Sequence, residues 1–189
     1  MDRRRNMLIG IVVGVVVVAT SIYVTGFTKQ LLRPFRGDGA EYKSSEASVA
    51  PELATGDWIN SEPLKLRNLR GRVVLIEFWT FGCYNCRNTL PYVKGWDARY
   101  RAKGLTVIGV HSPEFDEERN IEHLRRQVAS LGIMYPVITD NDYQTWKAYN
   151  VEAWPTTFLL DKQGRIRWRH VGEGGYGEGE RLIQKLIAE

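Results

Sequence analysis

Cys83 and Cys86 are the two cysteines of this 189-residue chain, and both lie in the stretch FWTFGCYNCRNTLP, residues 78–91. A C-x-x-C pair can ligate zinc, close a structural disulfide, or cycle between dithiol and disulfide. Zinc needs about four ligands, and His111, His123 and His170 stand at no ligand spacing to one another. A disulfide closing so short a loop removes little chain entropy and stabilises weakly. Redox chemistry is what remains, with Cys83 as the attacking nucleophile and Cys86, one helical turn later, as the resolving thiol.

Such chemistry needs elements that hold the two sulfurs in different surroundings. RVVLIEFW (72–79) is a continuous, β-branched apolar run of the buried central-strand type. A helix is expected from about Asn85 to Arg101, so the pair opens it, where free N–H groups and the helix dipole favour a thiolate. Pro91 bends that helix. Glu77 interrupts the apolar strand and has two readings. Buried, it has a raised pKa and passes a proton to or from Cys86; at a strand end, it points to water.

Beyond the pair, strand-like and helix-like blocks alternate. LTVIGVH (105–111) is a second buried strand, and NIEHLRRQVASLG places Ile121, Leu124, Val128 and Leu131 at helical spacing. Asp116, Glu117 and Glu118 read as helix-capping, solvated surface rather than a metal site. YPVITD (135–140) is a short strand, TTFLLD (156–161) and RIRWRHVG (165–172) form a hairpin around KQG, and RLIQKLIAE is an amphipathic helix. The expectation is an α/β fold, a central mixed sheet with helices on both faces. GEGGYG (172–177) matches a dinucleotide fingerprint, but 12 residues after it complete no βαβ unit, and Glu173 and Glu178 repel a pyrophosphate.

The N-terminus differs in kind. Met7 to Phe27 is a run of 21 residues without a charge, long enough to cross the roughly 30 Å of a bilayer core as one helix. It is expected to be an uncleaved anchor. The short basic tail 1–6, with Arg3, Arg4 and Arg5, places the N-terminus in the cytoplasm and the rest of the chain outside. Residues 28–50 read as a tether and 51–189 as the domain. The net charge of +4 is concentrated here: past residue 36 there are 20 basic against 21 acidic groups, so nucleic-acid binding is not expected.

Acid-Phe-Trp at the end of an apolar strand, then C-x-x-C, then Pro91, resembles the thioredoxin superfamily. Trp154-Pro155-Thr156-Thr157-Phe158 is similar to its cis-proline loop. FWTFGCYNCRNTLPYVKGW, GLTVIGVHSPEF, YPVITDNDYQTW and GEGGYGEGE, within residues 50–189, resemble the thioredoxin-like domain of the DipZ family, among the membrane-tethered TlpA/ResA-like redoxins. The resemblance implies a thioredoxin-like fold and a redox disulfide between Cys83 and Cys86. It implies partner contacts through Trp79, Tyr84, Asn85, Trp154 and Pro155, and an extra strand-helix segment between Cys83 and Pro155. It further implies reduction of protein disulfides, as in cytochrome c maturation. No cofactor is called for. With one span in place of a multi-span conducting domain, electrons are expected from a separate membrane protein. Two rival readings share the fold. A Sco-like copper module would draw on His111, though its cysteines stand one residue further apart, and a thiol peroxidase would want both Pro and Thr before its cysteine, a pair that WTFGC does not carry.

Overall fold

The computed structural model describes Gly39, residues 41–43 and residues 47–189. The tail 1–6 and the expected span Met7–Phe27 lie outside the described residues. Among those described, no helix is long and apolar enough to cross a membrane.

Alternation of buried apolar runs with amphipathic ones yields ten principal elements. They are β1 (Trp58–Ile59), β2 (Val73–Trp79), α1 (Tyr84–Tyr100), β3 (Leu105–His111), α2 (Ile121–Ser130), β4 (Val137–Thr139), α3 (Gln144–Ala148), β5 (Thr156–Leu160), β6 (Ile166–Val171) and α4 (Tyr176–Ala188). The strands form one sheet in the order β1-β4-β3-β2-β5-β6. β2 pairs parallel with β3 and antiparallel with β5, which makes it central and buries every one of its residues.

The strand's two-residue period assigns its side chains to two cores. Val73, Leu75 and Trp79 join Cys86, Leu90, Val93 and Trp96 of α1, Leu124 and Val128 of α2, and Leu182, Ile183 and Leu186 of α4. Phe78 faces the other way, against Phe158, Trp146 and Tyr149 with ring centroids 5.4–6.2 Å apart. Between Cys83 and Pro155 the chain forms α1, β3, α2, β4 and α3, with β3 and β4 on the β1 side of β2. α4 begins at Tyr176, earlier than the apolar pattern suggests, so the end of GEGGYG is its first turn. α3 and β1 are additions that sequence periodicity did not signal.

Part of the stretch expected as tether lies along β6. Tyr42 N–H donates to Arg167 O at 2.8 Å, and Ile166 N–H to Ser48 O at 2.8 Å. The Arg167 guanidinium, buried at 4% exposure, meets Asp161 at 3.5 Å and Glu189 at 3.0 Å and donates to Tyr42 O. With Glu41 at 3.9 Å as well, a buried cation held by three carboxylates and a carbonyl fastens this stretch and the end of α4 to the edge strand.

β3 places Gly109 in register with Glu77 of β2. A Cβ on Gly109 would lie 2.8 Å from Trp79 Nε1 and 3.2 Å from Tyr135 Cε2. Gly109→Ala is therefore expected to cost about 1–3 kcal/mol of unfolding free energy, as overpacking does. Urea unfolding measures it, and an unchanged midpoint would contradict this packing.

Candidate functional site

The end of β2 delivers the chain to the surface through Thr80, Phe81 and Gly82, and Cys83 is the N-cap of α1. Its Sγ accepts the Cys86 N–H at 3.2 Å, one of the N–H groups that a helix start leaves without a backbone partner. Both cysteines are thiols, Cys83 half-buried and Cys86 buried at 2% exposure. The Cys83 thiol is brought down to about 7, chiefly by hydrogen bonding from the Cys86 thiol, helped by the N–H groups of Cys86 and Asn85 and opposed by partial burial and the Glu114 charge. Cys86 is pushed far up by burial and by its bond to Cys83, against a backbone hydrogen bond from Thr80. One sulfur is thus nearly half ionised at neutral pH, and its neighbour holds its proton.

Behind the pair, Glu77 has 1% exposure, which decides between its two readings in favour of burial. Desolvation raises its carboxyl to about 8, with the Tyr135 hydrogen bond pulling down and the Cys83 charge adding a little. Tyr135 Oη donates to Oε2 at 3.3 Å, and Oε1 has no partner among the described residues. A carboxyl that is neutral or charged within the physiological range, set beside a thiol that cannot ionise unaided, can exchange a proton with it.

The remaining expected residues separate. Tyr84, at 75% exposure, and Asn85 lie on the surface beside Cys83. The Trp154–Pro155 peptide bond is cis. Pro155 is buried, while Trp154 is half-buried, donates its Nε1–H to Ser112 O at 3.0 Å and lies tilted against Trp146 with ring centroids 4.4 Å apart. Trp79 does not fit the partner-contact role expected of it. Its ring has 3% exposure and is packed inward over Gly109 and edge-on to His111, leaving no face for a partner. His111 is buried as well: its Nε2 lies 3.2 Å from Thr80 Oγ1, its ring stacks on Phe81, and burial lowers it to about 4.

Sequence reasoning missed three residues here. Glu118, read with Asp116 and Glu117 as helix-capping, solvated surface, does cap its short helix by accepting the Phe115 N–H at 3.2 Å, but it is buried at 2% exposure and also accepts N–H groups from Gly82 at 3.0 Å and Glu114 at 2.6 Å. Paired backbone donors make this burial tolerable for a carboxylate, and they tie the loop after β3 to the loop before Cys83. Phe115 is held there at 55% exposure. Tyr135 read only as the start of a strand. The available signal for it was Gly109, since a glycine inside a buried strand marks a close approach by something else.

Comparison with known proteins agrees with this geometry. The AhpC/TSA family model matches residues 47–169. DipZ of Mycobacterium tuberculosis is 42% identical over 155 residues, which is 79% of this chain and 22% of DipZ, so the chain spans about a fifth of that relative's length. The thiol-disulfide oxidoreductase ResA of Bacillus subtilis is 30% identical over 65% of each chain. The crystal structure of a thiol-disulfide isomerase from Corynebacterium glutamicum superposes with a TM-score of 0.66 at 30% identity, covering 74% of this chain and 97% of that one.

Two outcomes follow from these electrostatics. Alkylation of the reduced protein, followed residue by residue by mass spectrometry, is expected at Cys83 with a midpoint at about 7 while Cys86 stays unmodified; a midpoint at the ordinary thiol value would contradict the capping account. For stability, Glu77 has a folded pKa above its unfolded one, so its contribution is full below 4.5 and is lost as pH rises through about 8. Glu77→Gln escapes that loss, so its stability relative to wild type is expected to grow across that window, by about 3–5 kcal/mol. Denaturant melts at stepped pH measure the difference, and a constant difference would contradict a buried, titrating carboxyl.

Proposed function

The chain belongs to the AhpC/TSA family and has a thioredoxin-like fold, and from that premise we propose that it is a thiol-disulfide oxidoreductase that reduces disulfides of other proteins. One observation carries the proposal: a half-exposed Cys83 sulfur at the N-terminus of α1, near neutrality in its ionisation, beside a buried Cys86 that keeps its proton. The thiol-disulfide activities named for ResA and for the Corynebacterium isomerase support it.

In this reading the Cys83 thiolate attacks one sulfur of a partner disulfide, forming a mixed disulfide and releasing the other partner sulfur as a thiolate that takes up a proton. Glu77 as carboxylate accepts the Cys86 proton. The Cys86 sulfur then attacks Cys83, the mixed disulfide breaks, and the second partner thiol leaves. The partner gains two electrons and the Cys83–Cys86 pair loses two. Tyr84, Asn85, Trp154 and the Pro155 loop border the exchange as partner contacts. The direction rests on Cys83: a thiol lowered only to about 7 stabilises the reduced form mildly, as in thioredoxin at about 7, rather than strongly, as in an oxidant at about 3.5.

We further propose that Met7–Phe27 anchors the chain in the cell membrane with its N-terminus in the cytoplasm and residues 51–189 outside, that a separate membrane protein re-reduces the pair, and that haem-site cysteines of c-type cytochromes are among its substrates. The uncharged run of 21 residues behind three arginines supports the anchoring.

Cys86→Ser is expected to accumulate mixed disulfides through Cys83, visible as thiol-sensitive adducts on non-reducing gels after exposure to oxidised protein partners. Cys83→Ser is expected to form none. Equal trapping by the two variants, or by neither, would contradict the assigned order of attack.

A further inference from the structure

Glu77 is reached by few polar groups, and the geometry makes one of them decisive. Tyr135, two residues before β4, has no exposed surface, and its hydroxyl, which must find a partner when buried, finds Glu77 Oε2 at 3.3 Å. Room for the ring exists because β3 has Gly109 in register with Glu77; a side chain there would meet Tyr135 Cε2 at 3.2 Å. The other polar atom at Gly109, Trp79 Nε1, makes no hydrogen bond among the described residues. β5 presents Thr157 in register on the opposite side of Glu77. The charged and titratable groups facing this pair come from α1: Cys83 acts on Glu77, and Cys86 and the Arg101-paired Asp97 act on Tyr135.

We propose that Tyr135 is a positioning residue for thiol-disulfide exchange: its hydroxyl holds the Glu77 carboxyl in place and preferentially stabilises it as the carboxylate that accepts the Cys86 proton. The inference rests on the role proposed above for Glu77. An O–H donor bonds a carboxylate more strongly than a carboxylic acid, and the hydrogen bond is the main influence that brings the Glu77 carboxyl down against desolvation. Without it the carboxylate fraction at neutral pH falls, and the resolving step slows although both cysteines are untouched. The phenol itself stays protonated, because burial and the charges of Glu77, Asp97 and Cys86 all raise it.

Tyr135→Phe tests this with the ring volume kept. In the full chain labelled with 13C-carboxyl glutamate, Glu77, identified by the signal missing in Glu77→Gln, is expected to titrate at about 8 in wild type and about one unit higher in Tyr135→Phe. The pH limb of resolution, read by rapid quench of a mixed disulfide between Cys83 and a thiol peptide, is expected to move by the same amount, slowing the step about tenfold at pH 7 and less above pH 9. In a Glu77→Gln background the limb is absent and Tyr135→Phe adds nothing. An unmoved Glu77 titration in Tyr135→Phe overturns the inference whatever the rates do, as does a slowing of equal size in the Glu77→Gln background. A titration that moves while the rates do not leaves Tyr135 holding the carboxyl and instead overturns the place of Glu77 in the proposed function.

Discussion

Two opposed environments meet between Cys83 and Cys86, and the rest of the domain keeps them apart. In front, the first N–H groups of α1 point at Cys83 Sγ and favour negative charge. Behind, β2 and its apolar core surround Cys86 and Glu77 and disfavour it. Three titratable groups in a line would otherwise charge at their ordinary values. Here burial lifts the inner two while hydrogen bonding lowers the outer one, so a proton has somewhere to go when a sulfur changes state.

Keeping that boundary sharp explains features remote from the sulfurs. β2 is buried throughout because strands pair on both its edges and helices cover both its faces, and this allows Glu77 to remain dry one strand residue from Phe78. The loop before Cys83 has no regular structure to hold it. Glu118, in the short turn after the neighbouring strand β3, does so through Gly82, and the same carboxylate holds Phe115 outward. Trp154 is tied to the loop after β3 through Ser112 O. The segments around Gly82, from Ser112 to Glu118, and at Trp154 are therefore linked by hydrogen bonds.

Much of this was legible in the sequence, because continuous apolar runs and C-x-x-C at a strand-helix junction are local signals. β2, β3, α1, α2 and the late hairpin stand where periodicity puts them, within a few residues. What escaped depends on contacts between distant positions. Glu118 looks like its solvated neighbours Asp116 and Glu117 until the Gly82 loop folds onto it. Glu77 was balanced between core and solvent, and no local pattern could supply the ring of Tyr135, 58 residues away. Trp79 erred in the opposite sense: its place next to the motif suggested a partner surface, whereas Gly109 draws its ring inward. The short α3 and two-residue β1 escaped because elements of that length carry no period.

The proposed function makes Cys83 and Cys86 a reversible, reducing dithiol. Equilibrating the full chain with graded dithiol-disulfide buffers, and counting the bridged form by mass, measures its reduction potential. The account predicts a single two-electron transition forming an intramolecular Cys83–Cys86 disulfide, nearer the roughly −270 mV of thioredoxin than the roughly −120 mV of a strong oxidant. A potential at the oxidising end, or no intramolecular bridge at any poise, would contradict it.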